Sequence, residues 1–361
     1  MRIGIAKRSL AEAAAMLERI APAKASQPVL GQLLVEARQG TTTLRASSGE
    51  LDLELRLPAE VEGEGAVLVP AGLFSQLVRA LPGEYAELRR VPEGLELEGG
   101  SFRTRLAVAD PEAFPDFPEP AGEGVRLAGE VLARAIGRVR YAAAHEEYRA
   151  IFRGIQLELR PDRLRAVATD GFRLAVFDAE GVQGPDLKPV VPARAADELV
   201  RVLKEAAGEV TLHPEPARVV VAGERFRMAI ALMEGSFPDY ERVIPAQFAL
   251  EATVDAEALR QAIERVRVLA DRQSQRVDLA FGEGRVELAA EGEYGSGREE
   301  LPLELSGETP MVVAYNAQYL IDALKGLKGP ARLRLSGPTS PSLLTGGEEP
   351  GYLAVVVPLR V

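Results

Sequence analysis

The stretch Val190 to Leu203, VVPARAADELVRVL, decides how the chain is read, because it recurs. A short β-branched run meets a Pro, and apolar residues follow at Leu199, Val200 and Leu203, the spacing of one helix face. VLVPAGLFSQLVRAL, Val67 to Leu81, puts Leu77, Val78 and Leu81 in the same places. MVVAYNAQYLIDAL, Met311 to Leu324, does so with Leu320, Ile321 and Leu324. One strand-then-helix unit is used three times.

A second unit keeps the same rhythm. MRIGIAKRSLAEAAAML, GVRLAGEVLARAIGRV and EATVDAEALRQAIERV align Ile5 with Leu127 and Val254, and Leu17 with Val139 and Val266, at offsets of 122 and 127. Phe114-Pro115-Asp116-Phe117 returns as Phe237-Pro238-Asp239-Tyr240 at an offset of 123. The repeat of about 120 residues exceeds solenoid periods of roughly 20 to 50, so each copy is expected to carry its own core. The expected domains are 1–121, 122–247 and 248–361, with linkers in 109–124 and 238–248.

Within each block, period-2 runs separated by turns read as strands: LLVEA, TTLRA and ELDLELRL in the first block, IQLEL, LRAVAT and FRLAVFD in the second. The layout predicts two rounds of strand, helix and three-stranded meander, an α+β fold with antiparallel sheets under helices. Ser9 and Glu12 are spaced as a capping box for the first helix.

Composition sets the class. Apolar residues make up 47% of the chain, but no apolar run approaches the roughly 18 to 20 residues of a membrane span. No signal peptide is expected. The absence of Cys excludes disulfides and thiolate metal sites and fits a reducing compartment, so a cytoplasmic protein is expected. The lack of Cys and Trp, with 25 Pro, fits a thermophile or a GC-rich genome. A net charge of −11 argues against nucleic-acid binding until its distribution is considered. The six expected helices, 7–20, 72–81, 130–142, 196–205, 256–268 and 317–328, carry +5 together and leave −16 elsewhere. Ordinary solvated helix faces and a shared cationic surface both fit that split.

No catalytic constellation emerges. His145 and His213 have no metal-spaced partner, and the glycine-rich 292–297 lacks the Lys and hydroxyl of a phosphate loop. Thr169-Asp170-Gly171 is a turn signal between strands. No enzyme activity, metal or cofactor is expected. A threefold module can form an arc, and two arcs joined head to tail close a ring of six domains and twelve helices. Twelve helices of about 10 Å width give a diameter of roughly 38 Å, wide enough for a nucleic-acid duplex.

The triplicate layout, RAVATDGFRLA at 165–175, the FPDY box with Arg242-Val243 and the closing VVVPLR at 355–360 resemble the bacterial DNA polymerase III β subunit, the replicative sliding clamp. The resemblance covers essentially the whole chain. It implies the clamp fold, with helices lining the inner face of a ring and sheets outside, and a homodimer closed head to tail around double-stranded DNA. It implies a non-catalytic processivity factor working with the DNA polymerase III α subunit, a clamp loader, and other polymerases and repair proteins through short peptides.

The resemblance also implies sites. Peptide binding falls to Phe152, Thr169, Gly171, Phe172, Arg173, Leu174, Pro238, Arg242, Val243, Pro341, Val355, Val356, Val357, Pro358, Leu359 and Arg360. Their aliphatic and aromatic walls would take apolar anchors, with Arg173 and Arg242 reaching polar or acidic groups. Some members have Met in place of Val357 and Leu359 and His in place of Phe172, so this pocket is expected to be stiffer. DNA contact falls to Lys24, Arg79, Arg149, Arg194 and Arg201, through phosphates and independent of sequence. Glu146 stands where better-known members have an amide, and its carboxylate would repel phosphate. The dimer seam falls to Val268 and Leu269 against Phe74 and Leu106, made more apolar by Leu73 where some members have Lys. For these seam residues, and for Leu174 and Val355 to Val357, burial in a domain core is the alternative, and for each basic residue a solvated surface charge is. At the level of function, the rival is a protein scaffold that gathers partner peptides without DNA inside.

Overall fold

The computed structural model describes residues 1–360 other than 25, 26, 39, 121, 123, 146–149, 183 and 207. The first block runs β1 (Arg2–Ala6), α1 (Lys7–Ile20), β2 (Gln32–Arg38), β3 (Thr41–Ser47), β4 (Leu51–Pro58), β5 (Glu60–Glu62), β6 (Gly65–Pro70), α2 (Ala71–Ala80), β7 (Tyr85–Val91), β8 (Gly94–Gly99) and β9 (Phe102–Leu106). The second runs β10 (Val125–Ala128), α3 (Gly129–Val139), β11 (Gly154–Leu159), β12 (Arg163–Thr169), β13 (Arg173–Glu180), β14 (Val190–Pro192), α4 (Ala193–Glu205), β15 (Glu209–Pro214), β16 (Arg218–Ala222) and β17 (Phe226–Ala231). The third runs β18 (Leu250–Asp255), α5 (Ala256–Arg267), β19 (Arg276–Gly282), β20 (Arg285–Gly292), β21 (Gly295–Pro302), β22 (Glu304–Gly307), β23 (Met311–Asn316), α6 (Ala317–Leu324), β24 (Pro330–Leu335), β25 (Ser342–Gly346) and β26 (Glu349–Val356). Every expected helix and meander is present. The short strands β5 and β22 were not expected.

The first helix is capped differently from the expectation. It starts at Lys7 with Ala6 as N-cap and no side-chain cap. Strand β1 runs straight into it, and the Lys7 N–H is satisfied by the Glu84 carbonyl at 2.8 Å, which leaves Ser9 inside the first turn. At the other end of the chain, α6 stops at Leu324 rather than 328, and Gly326 follows with φ +81°.

Helix burial follows the 3.6 period. Leu10, Ala13, Ala14, Leu17 and Ile20 are the buried face of α1, and Leu259, Ala262, Ile263 and Val266 hold the matching places in α5. Each such Leu, Ile or Val contributes about 1.5–3 kcal/mol over its exposed state.

The chain packs as two compact units, residues 1–133 with 197–232 and residues 134–196 with 233–361. They divide the middle block, and the reason lies in the sheets. In the first unit an eight-stranded sheet has the order β10-β15-β16-β17-β4-β3-β2-β6, so strands of the first and second blocks join where β17 pairs with β4. In the second unit a nine-stranded sheet, β14-β11-β12-β13-β26-β25-β24-β18-β22, joins the second and third blocks where β13 pairs with β26. The remaining sheets are β5-β1-β7-β8-β9 in the first unit and β21-β20-β19-β23 in the second.

The two junctions occupy equivalent places in the repeat. Residues 41–58, 163–180 and 285–302 align without a gap at an offset of 122, which equates β4, β13 and β21. Leu55 faces Phe226 at one junction and its counterpart Phe177 faces Tyr352 at the other. The chemistry one step along differs. Glu54 faces Arg227, whereas its counterpart Val176 faces Leu353. Glu54 is 1% exposed and accepts from Arg45 Nε at 2.7 Å and from Arg227 Nε and Nη2, both at 2.9 Å, with Arg56 at 3.1 Å. Arg227 also reaches Glu119 at 2.7 Å and lies 4.7 Å over the Phe117 ring, fastening the linker.

Candidate functional site

Asp170-Gly171-Phe172 makes the turn between β12 and β13, with Gly171 at φ +90°, a conformation that favours Gly. Asp170 Oδ1 accepts from the Phe172 and Arg173 amides at 2.8 and 3.0 Å, and the Thr169 hydroxyl donates to the Arg173 carbonyl at 2.7 Å. These local bonds fix the turn without help from a ligand. Phe172 and Val357 then pair through backbone, Val357 N–H to the Phe172 carbonyl at 3.0 Å, so the segment after β26 continues alongside the turn.

Beside this turn lies a cavity of about 220 Å³ lined by Phe152, Thr169, Gly171, Arg173, Leu174, Pro238, Asp239, Tyr240, Val243, Pro341, Val355 and Val357. Ten of these are residues singled out from sequence. The structure adds Asp239 and Tyr240, both inside the FPDY box already quoted. The other six expected residues lie outside the lining, each for a local reason. Phe172 projects to solvent, 61% exposed, at the tip of the turn. Val356 is buried, but strand alternation turns it away from the face shown by Val355 and Val357. Pro358 is buried, Leu359 is tied by its N–H to the Ala314 carbonyl at 2.8 Å, and Arg360 is exposed. Arg242 is 84% exposed and pairs with Asp239 at 2.6 Å.

The floor beneath is apolar. Val167, Leu174, Val176, Tyr240, Leu343 and Val355 form one buried cluster, and Phe237 meets Tyr240 edge to face at 6.5 Å between ring centroids. Tyr240 donates its hydroxyl to Glu158 at 2.7 Å. Burial pushes the Glu158 carboxyl up, but hydrogen bonds from Tyr240 and Arg160 outweigh it, and the group titrates below the ordinary Glu range. Burial, reinforced by Glu158, pushes the Tyr240 phenol up. At the other junction the counterpart of Leu174 opposite Val355 is Asp52 opposite Ala229, a polar and smaller pair.

Arg173 is held by carboxylates of its own chain. Its side chain is 9% exposed, and its guanidinium donates to Asp170 at 3.0 Å and to Asp322 at 2.7 Å. It lines the cavity with charge already answered, whereas Arg242, outside the lining, pairs with Asp239 and stays mostly in solvent.

The expected DNA residues are scattered along the chain and differ in freedom. Lys24 and Arg194 are exposed. Arg79 contacts Glu18 at 3.3 Å and Arg201 contacts Glu198 at 3.6 Å, while each side chain stays more than half exposed. Arg149 and Glu146 lie outside the described residues. Over their observed lengths the six helices carry 12 Lys and Arg against 9 Asp and Glu, an excess of three where the longer expected spans had five.

The expected seam residues separate into two kinds. Phe74 is 0% and Leu106 4% exposed, both spent in the core of the first unit, so neither offers surface. Val268, at the C-cap of α5, is 80% exposed. Leu269 is half-buried against the start of β21, where a Cβ on Gly297 would stand 3.1 Å from its Cδ1. Leu73 is 46% exposed.

Family models of the DNA polymerase III beta subunit match the chain three times in sequence, the N-terminal domain over 1–118, the central domain over 126–239 and the C-terminal domain over 241–360. The beta sliding clamp of Synechocystis is 30% identical over 397 residues, with all of both chains covered. The sliding clamp of Pseudomonas aeruginosa, 26% identical, superposes with a TM-score of 0.95 over 100% of both chains. The beta subunit of Thermotoga maritima, also 26% identical, gives 0.92 over 100% of this chain and 99% of that one. With its triplicate α+β blocks and sheets fused between successive blocks, the chain belongs to the bacterial DNA polymerase III beta subunit family, the non-catalytic sliding clamps of DNA replication.

Proposed function

We propose that two copies close head to tail into a ring around duplex DNA, and that the cavity beside Gly171 takes short peptides from the proteins the ring tethers. One observation carries the ring: the pairing rule repeated within the chain. The last strand of a block's first meander, β4 or β13, pairs with the last strand of the next block's second meander, β17 or β26. The third block has a free edge of the first kind in β21, and the first block has one of the second kind in β9. Each is an open ladder of backbone donors and acceptors that pairing would satisfy. Applied once more, the rule joins β21 to β9 of a second copy, with Glu299 opposite Phe102 as Leu55 is opposite Phe226. A heterologous contact of this kind closes when two chains supply six blocks.

In this reading residues 1–121, 122–247 and 248–361 are the three domains. Lys24, Arg79, Arg194 and Arg201, together with Arg149, meet phosphates loosely, because a ring that slides cannot read base edges. Enclosure holds the duplex, and a small cationic excess on the helices suffices. The peptides come from the DNA polymerase III α subunit, the clamp loader, and other polymerases and repair proteins, and the ring works in the cytoplasm. Val268 and Leu269, exposed and half-buried in the single chain, are the apolar seam residues.

Sedimentation should give a dimer, and the loaded protein should stay on nicked circular DNA and leave after linearisation. Equal retention on both forms would mean ordinary binding rather than enclosure. Val268→Asp removes nothing from a core, so it should leave thermal stability unchanged while weakening the dimer at least about tenfold. A dimer as tight as the parent would place the seam elsewhere.

A further inference from the structure

We propose that Asp322 of α6, a residue outside the cavity lining, sets which ligands the cavity accepts by neutralising the Arg173 guanidinium in its wall. The inference rests on the cavity being the peptide site. Arg173 sits in the cavity wall, and a free guanidinium there would favour a ligand carboxylate. It is not free. Nε donates to Asp170 Oδ2 at 3.0 Å and Nη1 to Asp322 Oδ2 at 2.7 Å, and the group lies 4.6 Å over the Tyr319 ring and 5.5 Å over the Tyr141 ring.

Asp322 is itself held in place. Its other oxygen accepts from Gln318 Nε2 at 2.7 Å, one helical turn earlier, and Gln318 Oε1 accepts from Arg267 at the end of α5. Tyr141 and Tyr352 share a hydrogen bond of 2.7 Å between their hydroxyls, and Tyr352 also donates to the α6 carbonyl of Ala323 at 2.8 Å, which fixes one ring beneath Arg173. Two carboxylates therefore answer one guanidinium in the cavity wall. The consequence is selectivity for an uncharged apolar anchor, since an acidic group beside that anchor meets no unanswered cation in the wall. Asp170 alone is an incomplete substitute, because it holds Nε and leaves the Nη groups free to turn.

The test uses two fluorescein-labelled synthetic peptides with one leucine anchor, identical except for Gln or Glu beside it, titrated by anisotropy against the full-length protein. Asp322→Asn should weaken the Gln peptide about fivefold and shift the Glu-to-Gln affinity ratio about tenfold towards Glu, an effect that 0.5 M salt reduces. Adding Arg173→Gln to Asp322→Asn should return the ratio to the parent value, because the shift acts through that guanidinium. A general loosening of the fold would weaken both peptides alike and leave the ratio fixed. Gln318→Ala, which frees Asp322 without removing it, should move the ratio the same way by a smaller factor and stands in if Asp322→Asn fails to fold. An unchanged ratio in every folded variant, with both peptides still lost in Val357→Asp, overturns the role of Asp322. Peptide binding that survives Val357→Asp overturns the cavity itself instead.

Discussion

Val357→Asp is expected to weaken capture of a leucine-anchored peptide by at least about 100-fold and to end stimulation of processive synthesis, while the dimer persists. Val357 faces the cavity and is only partly buried in the free chain, so an Asp there is hydrated and costs the fold little. Ligand binding changes that. An apolar anchor would have to strip water from a carboxylate with no partner in a wall of Leu174, Val243 and Val355, a cost of about 3 kcal/mol. Deleting 357–361 should reach the same end point by a broader route, since it also removes the N–H groups that Val357 and Leu359 donate to Phe172 and Ala314. Peptide anisotropy and product length in a primer-extension assay read the outcome. Wild-type stimulation by Val357→Asp would show that the peptides dock elsewhere.

Removing Glu54 is expected to be the most destabilising single change in the first unit. Glu54→Val leaves Arg45, Arg56 and Arg227 without their shared carboxylate, a loss of about 3–5 kcal/mol and roughly 10 °C in the unfolding of that unit. The repeat supplies the repair. Val176 and Leu353 hold the equivalent places at the other junction, so Glu54→Val with Arg227→Leu should recover at least half of the loss. No recovery would mean that the linker contacts of Arg227 with Glu119 and Phe117 outweigh the junction itself.

The same cluster sets an acid limit. Burial raises the Glu54 carboxyl, but hydrogen bonds from Arg227 and the charges of Arg45 and Arg56 lower it further, leaving it below the ordinary 4.5. Glu158 is depressed likewise. A depressed carboxyl contributes fully above its unfolded value and loses that contribution as pH falls through the folded one. Unfolding free energy should therefore decline below about pH 4.5. In Glu54→Val with Arg227→Leu that decline should be shallower.

Much of this protein could be read from residue order. Leu10, Leu132 and Leu259 mark three copies of one helix because helical spacing is a local property, and the turns at Gly171 and at 292–295 follow from what Gly permits. Most of the cavity residues follow from the family resemblance; strand pairing brings 173–174 beside 355–356, and the FPDY box joins them through Tyr240 in the apolar cluster. Asp239 and Tyr240, inside that box, join the lining only in the structure.

What the sequence by itself determined is the triplication, the six helices with their buried faces, and the meanders, all set by backbone preference and apolar spacing over a few residues. Only the tertiary structure decided which strand edges meet, so that β4 joins β17 and β13 joins β26 and the middle block is shared between two units. It also decided that Phe74 and Leu106 are spent in a core, and that Arg173 faces its cavity already neutralised by Asp170 and by Asp322, 149 residues further along. Burial and ion pairing depend on which groups the folded chain brings within a few ångströms, and a partner that far along leaves no mark on the local pattern.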